Sequence, residues 1–126
     1  MVVVDASAAV ALLVDAGPDG RWAERVLARE QVAAPHLMPV EVANILRRAA
    51  ARGEISADAA ALAHADLVAL PVELFPYEPF ASRVWDLRGN LTAYDAWYIA
   101  LAEALGAKVA TLDGASAAPP GRAAGS

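Results

Sequence analysis

The stretch Val2-Val3-Val4-Asp5-Ala6-Ser7 decides the fold class. Three consecutive β-branched residues with no polar alternation describe a strand that expects water on neither face. Such strands sit in the middle of parallel sheets. Asp5 follows at once, and Ser7 is placed to cap a helix. The order is therefore strand, carboxylate, helix. In open α/β sheets ligands bind outside the carboxyl ends of the strands. Asp5 stands at such an end, and the other acids are weighed by whether the fold can bring them to it.

Outward from this start, residues 7–14 read as a short buried helix ended by Asp15-Ala16-Gly17-Pro18. Residues 20–30 carry Trp22, Ala23, Val26 and Leu27 as a helical stripe. Residues 32–34 suit a short strand. Pro35 and Pro39 bracket a turn, and Pro39 fits a first helical turn. The following helix runs to Arg52, with Val42, Ile45, Leu46 and Ala49 on one face. Glu41, Asn44 and Arg48 form another face, at i, i+3 and i+7. Ser56 caps a helix that ends before Pro71, and residues 72–75 form a strand. Pro79 opens a helix with Phe80, Val84 and Leu87 inward. Thr92-Ala93-Tyr94-Asp95 resembles a capping box for a helix through Leu105, closed by Gly106. Residues 109–111 are the last strand. Alternating strands and helices define an α/β fold with a mainly parallel central sheet and helices on both faces.

The chain has 126 residues, one domain's worth. The domain is expected over residues 1–113. Residues 114–126, rich in Ala, Gly and Pro, are expected to form a flexible C-terminal tail. The hydrophobic fraction is 58%, much of it alanine. No apolar run reaches the roughly 18–20 residues of a membrane helix. No basic segment precedes the apolar residues 6–14, so a signal peptide is not expected. Cysteine is absent, which excludes disulfides and thiolate metal sites and fits a cytoplasmic location. The net charge of −5 argues against broad, nonspecific nucleic-acid binding, unless the acids surround a cation.

Each acid has a plain structural explanation. Asp5 precedes a helix, Glu41 is expected in a first helical turn, where the helix dipole favours a negative charge, Asp95 fits a capping box, and Asp113 precedes Gly114 in a turn pair. Their joint placement is harder to dismiss. Asp5 and Asp113 each follow a strand, and Glu41 and Asp95 begin helices, positions that fall on one edge of a doubly wound sheet. Hard oxygen ligands without cysteine suit Mg²⁺ or Mn²⁺, one or two ions, which polarise phosphoryl oxygens and activate water. Ser7 and Thr111 could support these acids, and Asn44, one turn from Glu41, could orient it. His36 and His64 lack ligand spacing and read as surface residues. Trp22, Trp85 and Trp97 read as core. Arg47, Arg48, Arg52, Arg83 and Arg88 are candidates for phosphate contact.

Four segments together resemble the PIN-domain family, and more narrowly the VapC toxins of toxin–antitoxin modules. They are Val3-Val4-Asp5-Ala6-Ser7, Pro39-Val40-Glu41-Val42-Ala43-Asn44-Ile45-Leu46, Leu91 to Glu103 around Asp95, and Ala110-Thr111-Leu112-Asp113. The resemblance implies a three-layer PIN-like fold and an Mg²⁺- or Mn²⁺-dependent ribonuclease. It places the catalytic and metal-binding acids on Asp5, Glu41, Asp95 and Asp113, with Ser7, Asn44 and Thr111 in support. It also implies a structured RNA substrate (tRNA or rRNA) and inhibition by a cognate VapB-like antitoxin. A homodimer and a toxin–antitoxin hetero-oligomer are expected, with no membrane partner. The apolar helices at 7–14, 20–30 and 37–52 are the expected docking surface. The chain departs from the family after Asp113, where Arg122 is the only basic residue.

The alternatives are a catalytically inactive PIN-like module that binds RNA or a partner, and a phosphotransfer protein with Asp5 as nucleophile. Two features weaken the second. Ser7 stands where a haloacid-dehalogenase phosphatase needs a second aspartate, and a receiver domain expects its phosphoacceptor near mid-chain.

Overall fold

The computed structural model describes residues 1–112. Four strands form one sheet: β1 (Val2–Val4), β2 (Val32–Pro35), β3 (Val72–Phe75) and β4 (Lys108–Ala110). Their spatial order is β3-β2-β1-β4, and every adjacent pair is parallel. The three valines of β1 are all buried, as an unbroken β-branched run requires in a strand flanked on both sides. Val2 pairs with both Val32 and Lys108, so β1 is central.

Six helices connect and cover the strands: α1 (Ala6–Val14), α2 (Pro18–Ala28), α3 (Leu37–Ala51), α4 (Ala57–Ala69), α5 (Ala81–Asp86) and α6 (Ala93–Leu105). A single 3₁₀ turn, Glu78–Phe80, precedes α5. It replaces the first turn of the helix expected from Pro79. α1 packs on α2, α3 and α4, whereas α6 lies along β1, β2 and β4 with α5 beside it. The sheet is thus the middle of three layers. One core joins them, with Val3, Val4, Met38, Val42, Leu101 and Val109 fully enclosed.

Two glycines have definite tasks. Gly106 ends α6 in the left-handed region (φ 62°), which non-glycine residues adopt at a cost. Gly20 lets α2 approach the end of α1, since a Cβ there would lie 1.8 Å from the Asp15 carbonyl oxygen. The tryptophans divide. Trp22 and Trp97 are half-buried against the core clusters, whereas Trp85 is 65% exposed, contrary to expectation. α5 has only six residues, and Val84 alone is its buried contact, so Trp85 falls on the outer face with the Arg88 guanidinium over its ring. His36 and His64 are exposed, as expected.

Candidate active site

The carboxyl end of β1 delivers Asp5 to a cavity of about 330 Å³. Its walls include Asp5, Ser7, Glu41, Asn44, Arg48, Asp95 and Tyr98. Three of the four expected acids therefore share one cavity, and they reach it from different elements. Asp113, and with it the reading of 114–126 as a tail, lies outside the described residues.

Asp5 is buried, 7% exposed, and it is the N-cap of α1. Its Oδ1 accepts the Ala8 backbone N–H at 3.0 Å and the Ser7 hydroxyl at 2.7 Å. The cap is therefore Asp5 and not Ser7, because the helix begins one residue earlier than the sequence suggested. Ser7 instead ties the ends of two strands together. Its Oγ accepts the Leu112 backbone N–H at 2.9 Å and lies 3.4 Å from the Thr111 hydroxyl. The adjacent Asp5 N–H donates to the Ala110 carbonyl at 3.2 Å. Ser7 thus bonds Asp5 directly, and Thr111 lies beside the Ser7 hydroxyl across the β1–β4 junction.

Glu41 comes from α3, the helix after β2. It is the fifth residue of that helix, so the helix dipole at the first turn does not explain it. Its Oε1 accepts the Tyr98 hydroxyl at 2.6 Å. Tyr98 is buried, 6% exposed, and sequence reading passed over it. The available signal was its place three residues after Asp95, on the same face of α6. Burial first, then the hydrogen bond to Glu41 and the charges of Glu41, Asp5 and Asp95, push the Tyr98 phenol far above its ordinary range. A phenol in that setting stays protonated and donates.

Asp95 sits in the first turn of α6. Thr92 caps that helix by accepting the Asp95 backbone N–H at 3.1 Å. The return bond of a capping box, from the Thr92 N–H to the Asp95 carboxylate, is not among the hydrogen bonds of the described residues. The Asp95 side chain lines the cavity instead. Asn44 also lines it, but its Oδ1 accepts from Arg47 Nε at 3.0 Å. Its described hydrogen bond thus goes to Arg47 and not to Glu41.

Among the described residues, no three histidine, aspartate or glutamate side chains are grouped as a ready-made cage for an ion. Asp5, Glu41 and Asp95 nevertheless line the same cavity. Like charges without a cation repel; here the α1 cap holds Asp5 and the Tyr98 hydroxyl holds Glu41. The donor set itself, oxygen only, suits a hard divalent cation and offers nothing to a soft one.

The fold and this wall of acids define a class, and comparison with known proteins agrees with it. Residues 2–118 match the PIN domain family, and the chain belongs to that family. Within it, the chain is 42% identical over 113 residues to a VapC ribonuclease of Mycobacterium bovis, covering 90% of this chain and 86% of that protein. It is 40% identical over 114 residues to ribonuclease VapC12 of Mycobacterium tuberculosis, covering 90% and 88%. The crystal structure of Mycobacterium tuberculosis VapC20, described as a sarcin–ricin loop cleaving toxin, shares the fold. Its TM-score is 0.71 at 20% identity, over 94% of both chains. The structure of PAE2754 from Pyrobaculum aerophilum also has a TM-score of 0.71, at 27% identity, over 91% of this chain and 76% of that one. The protein is a PIN-domain chain of the VapC ribonuclease type.

Proposed function

We propose that the protein is a divalent-metal-dependent endoribonuclease that hydrolyses phosphodiester bonds in structured RNA. The observation that carries this reading is the shared cavity, walled by carboxylates from the end of β1, from α3 and from α6. Asp5, Glu41 and Asp95, with Asp113 beyond the described residues, would hold Mg²⁺ or Mn²⁺. Ions bound there supply Lewis-acid polarisation of phosphoryl oxygens and a nucleophilic water at neutral pH. The chain's own groups prepare the site. The Ser7 hydroxyl and the Ala8 N–H fix one Asp5 oxygen, and the Tyr98 hydroxyl fixes Glu41 Oε1. Asp95 keeps its carboxylate out of any described hydrogen bond. A cation bound between these carboxylates would offset their mutual repulsion.

This chemistry leaves the ribose 2′-hydroxyl idle. The products carry a 5′-phosphate and a 3′-hydroxyl. Unpaired, splayed bases are the usual targets of sequence-specific RNA recognition, so a loop of tRNA or rRNA is the expected substrate. As in a VapBC module, a VapB-like antitoxin would restrain the enzyme, and the toxin itself would form a homodimer. Surface for such contacts exists: an apolar groove of about 320 Å³ runs between α1, α2 and the α4–β3 turn. Val40, Leu62 and Val68 are also two-thirds exposed or more. Val40 lies on α3 and the groove on α1 and α2, the helices expected to form the docking surface, whereas Leu62 and Val68 add α4 to it. No helix among the described residues is long and apolar enough to cross a membrane.

The test is end-group analysis of RNA fragments made with Mn²⁺ and with EDTA. Cleavage that stops in EDTA and leaves 5′-phosphates supports the proposal. Cyclic 2′,3′-phosphate ends, or full activity in EDTA, defeats it.

A further inference from the structure

An acidic cavity that handles phosphodiesters needs a cation of its own to receive the substrate, and the fates of five arginines identify it. Arg83 is engaged bidentately by Glu103, at 2.8 and 3.1 Å. Arg88 lies over the Trp85 ring and donates to the Trp85 carbonyl at 2.8 Å. Arg47 donates to Asn44. Arg52 ends α3 as its C-cap through its backbone N–H and does not line the cavity. Arg48 differs from all four. It lines the cavity of Asp5, Glu41 and Asp95, and it is the only lysine or arginine among the described residues that does so. It also makes no ion pair with any of the three, although they share its cavity.

We propose that Arg48 is the phosphate clamp of this cavity, binding a backbone phosphate of the RNA beside the scissile bond. The assignment rests on the ribonuclease reading above and narrows it to one contact. α3 supplies the geometry. Glu41, Asn44 and Arg48 follow at i, i+3 and i+7, so one helix face carries an acid at the cavity's base and a guanidinium two turns further on. Asn44 lies between them. Its Oδ1 is taken by Arg47, and its Nδ2 donates in no hydrogen bond among the described residues. Two N–H donors in line on one helix suit a phosphate, and a planar guanidinium grips phosphate oxygens in pairs. A guanidinium that lines this cavity and bonds none of its three acids has its N–H donors open to a phosphate. The competing explanation is that Arg48, in the last turn of α3, only complements the helix dipole.

The experiment measures binding separately from cleavage. The full chain, Arg48→Ala and Arg48→Lys are titrated with a fluorescent RNA hairpin by anisotropy in Ca²⁺, over a series of salt concentrations. Thermal stability is followed with and without Mn²⁺. Arg48→Ala is expected to weaken RNA binding about tenfold at low salt. It should also lower the slope of log Kd against log salt by about 0.7, the share of one single-strand phosphate contact. Arg48→Lys should restore the slope but not the full affinity. The Mn²⁺-induced rise in Tm should persist in both variants. If Arg48→Ala lowers Tm while RNA affinity and salt slope stay unchanged, the residue serves the helix end and the proposal is wrong. If the wild-type chain does not bind the hairpin, the clamp and the ribonuclease reading fall together. A wild-type chain that ignores Mn²⁺ and cuts nothing, yet binds RNA through Arg48, overturns the ribonuclease reading and keeps the clamp.

Discussion

Replacing Asp5 in two ways separates its structural role from its chemical one. Asp5 Oδ1 accepts both the Ala8 N–H and the Ser7 hydroxyl. Asparagine keeps an oxygen in that place and removes only the charge. Alanine removes both bonds. Losing an N-cap of this kind costs about 1 kcal/mol, and losing the hydroxyl's bond to a charged acceptor costs about 1.5 kcal/mol more. Asp5→Ala should therefore be about 2–3 kcal/mol less stable than Asp5→Asn. At this chain length about 1 kcal/mol moves Tm by roughly 4 °C, so the two variants should melt about 8–12 °C apart. Metal-free Asp5→Asn should match or exceed the wild type, because one of three neighbouring negative charges has gone. Saturating Mn²⁺ should give the opposite order. An ion at a hundred times its Kd stabilises a single-site protein by about 2.7 kcal/mol, or about 10 °C, and Asp5→Asn should lose most of that rise. Differential scanning fluorimetry with and without Mn²⁺ reads all of these numbers. An Asp5→Asn variant that keeps the full Mn²⁺ shift would show that Asp5 is only a helix cap.

Tyr98→Phe deletes the hydroxyl that holds Glu41 and should cost about 1.5–3 kcal/mol by the same charged-acceptor rule; it should also weaken Mn²⁺ binding, measured by electron paramagnetic resonance. The raised Tyr98 pKa sets a pH dependence whose sign is fixed. The folded chain favours the neutral phenol, so this stabilisation is complete below the unfolded tyrosine value of about 10 and declines above it, and Tyr98→Phe should flatten the alkaline limb of a Tm–pH curve. Gly20→Ala normally favours a helix by up to about 1 kcal/mol. Here the new Cβ would meet the Asp15 carbonyl, so urea unfolding should show a loss of about 1–3 kcal/mol. Asp95→Asn should leave metal-free stability within about 1 kcal/mol of wild type, because its carboxylate takes no described hydrogen bond, while abolishing cleavage of a hairpin RNA.

The fold was legible because its signals are local and mutually consistent. A triple valine cannot face water, so β1 announced a central parallel strand. Ser56, Thr92 and Gly106 bound α4 and α6 as their side chains and φ angles require. Short amphipathic pieces were harder. Pro79 suggested a helix start, but the six-residue α5 rests on one buried valine, and packing therefore left Trp85 outside. Tertiary hydrogen bonds were not legible at all. Tyr98 meets Glu41 across 57 residues of chain, and Ser7 meets Leu112 across 105. Neither pairing has a periodicity or spacing that a sequence could display, and an apolar-looking run such as Trp97-Tyr98-Ile99 conceals a polar task.

The three described acids also answer differently to the structural explanations that each admitted. For Asp5 the explanation is correct and incomplete: it caps α1, and it does so inside a cavity. That location matters because a surface cap would serve as well, and burying a carboxylate is unfavourable unless its bonds compensate. For Glu41 the dipole explanation fails, since the residue lies in the second turn of α3 and is held by a buried phenol. For Asp95 the capping-box explanation is half met, because Thr92 caps the helix while the Asp95 carboxylate faces the cavity. A purely structural account would thus leave the meeting of three acids at one cavity unexplained. Removing charge distinguishes the accounts. If repulsion among these acids opposes folding, Asp5→Asn and Asp95→Asn should each gain metal-free stability, and the double variant should gain less than their sum, because the second loses a repulsion already relieved. A strictly additive double variant would mean that the two carboxylates do not sense one another, and a shared cation between them would then lose its electrostatic basis.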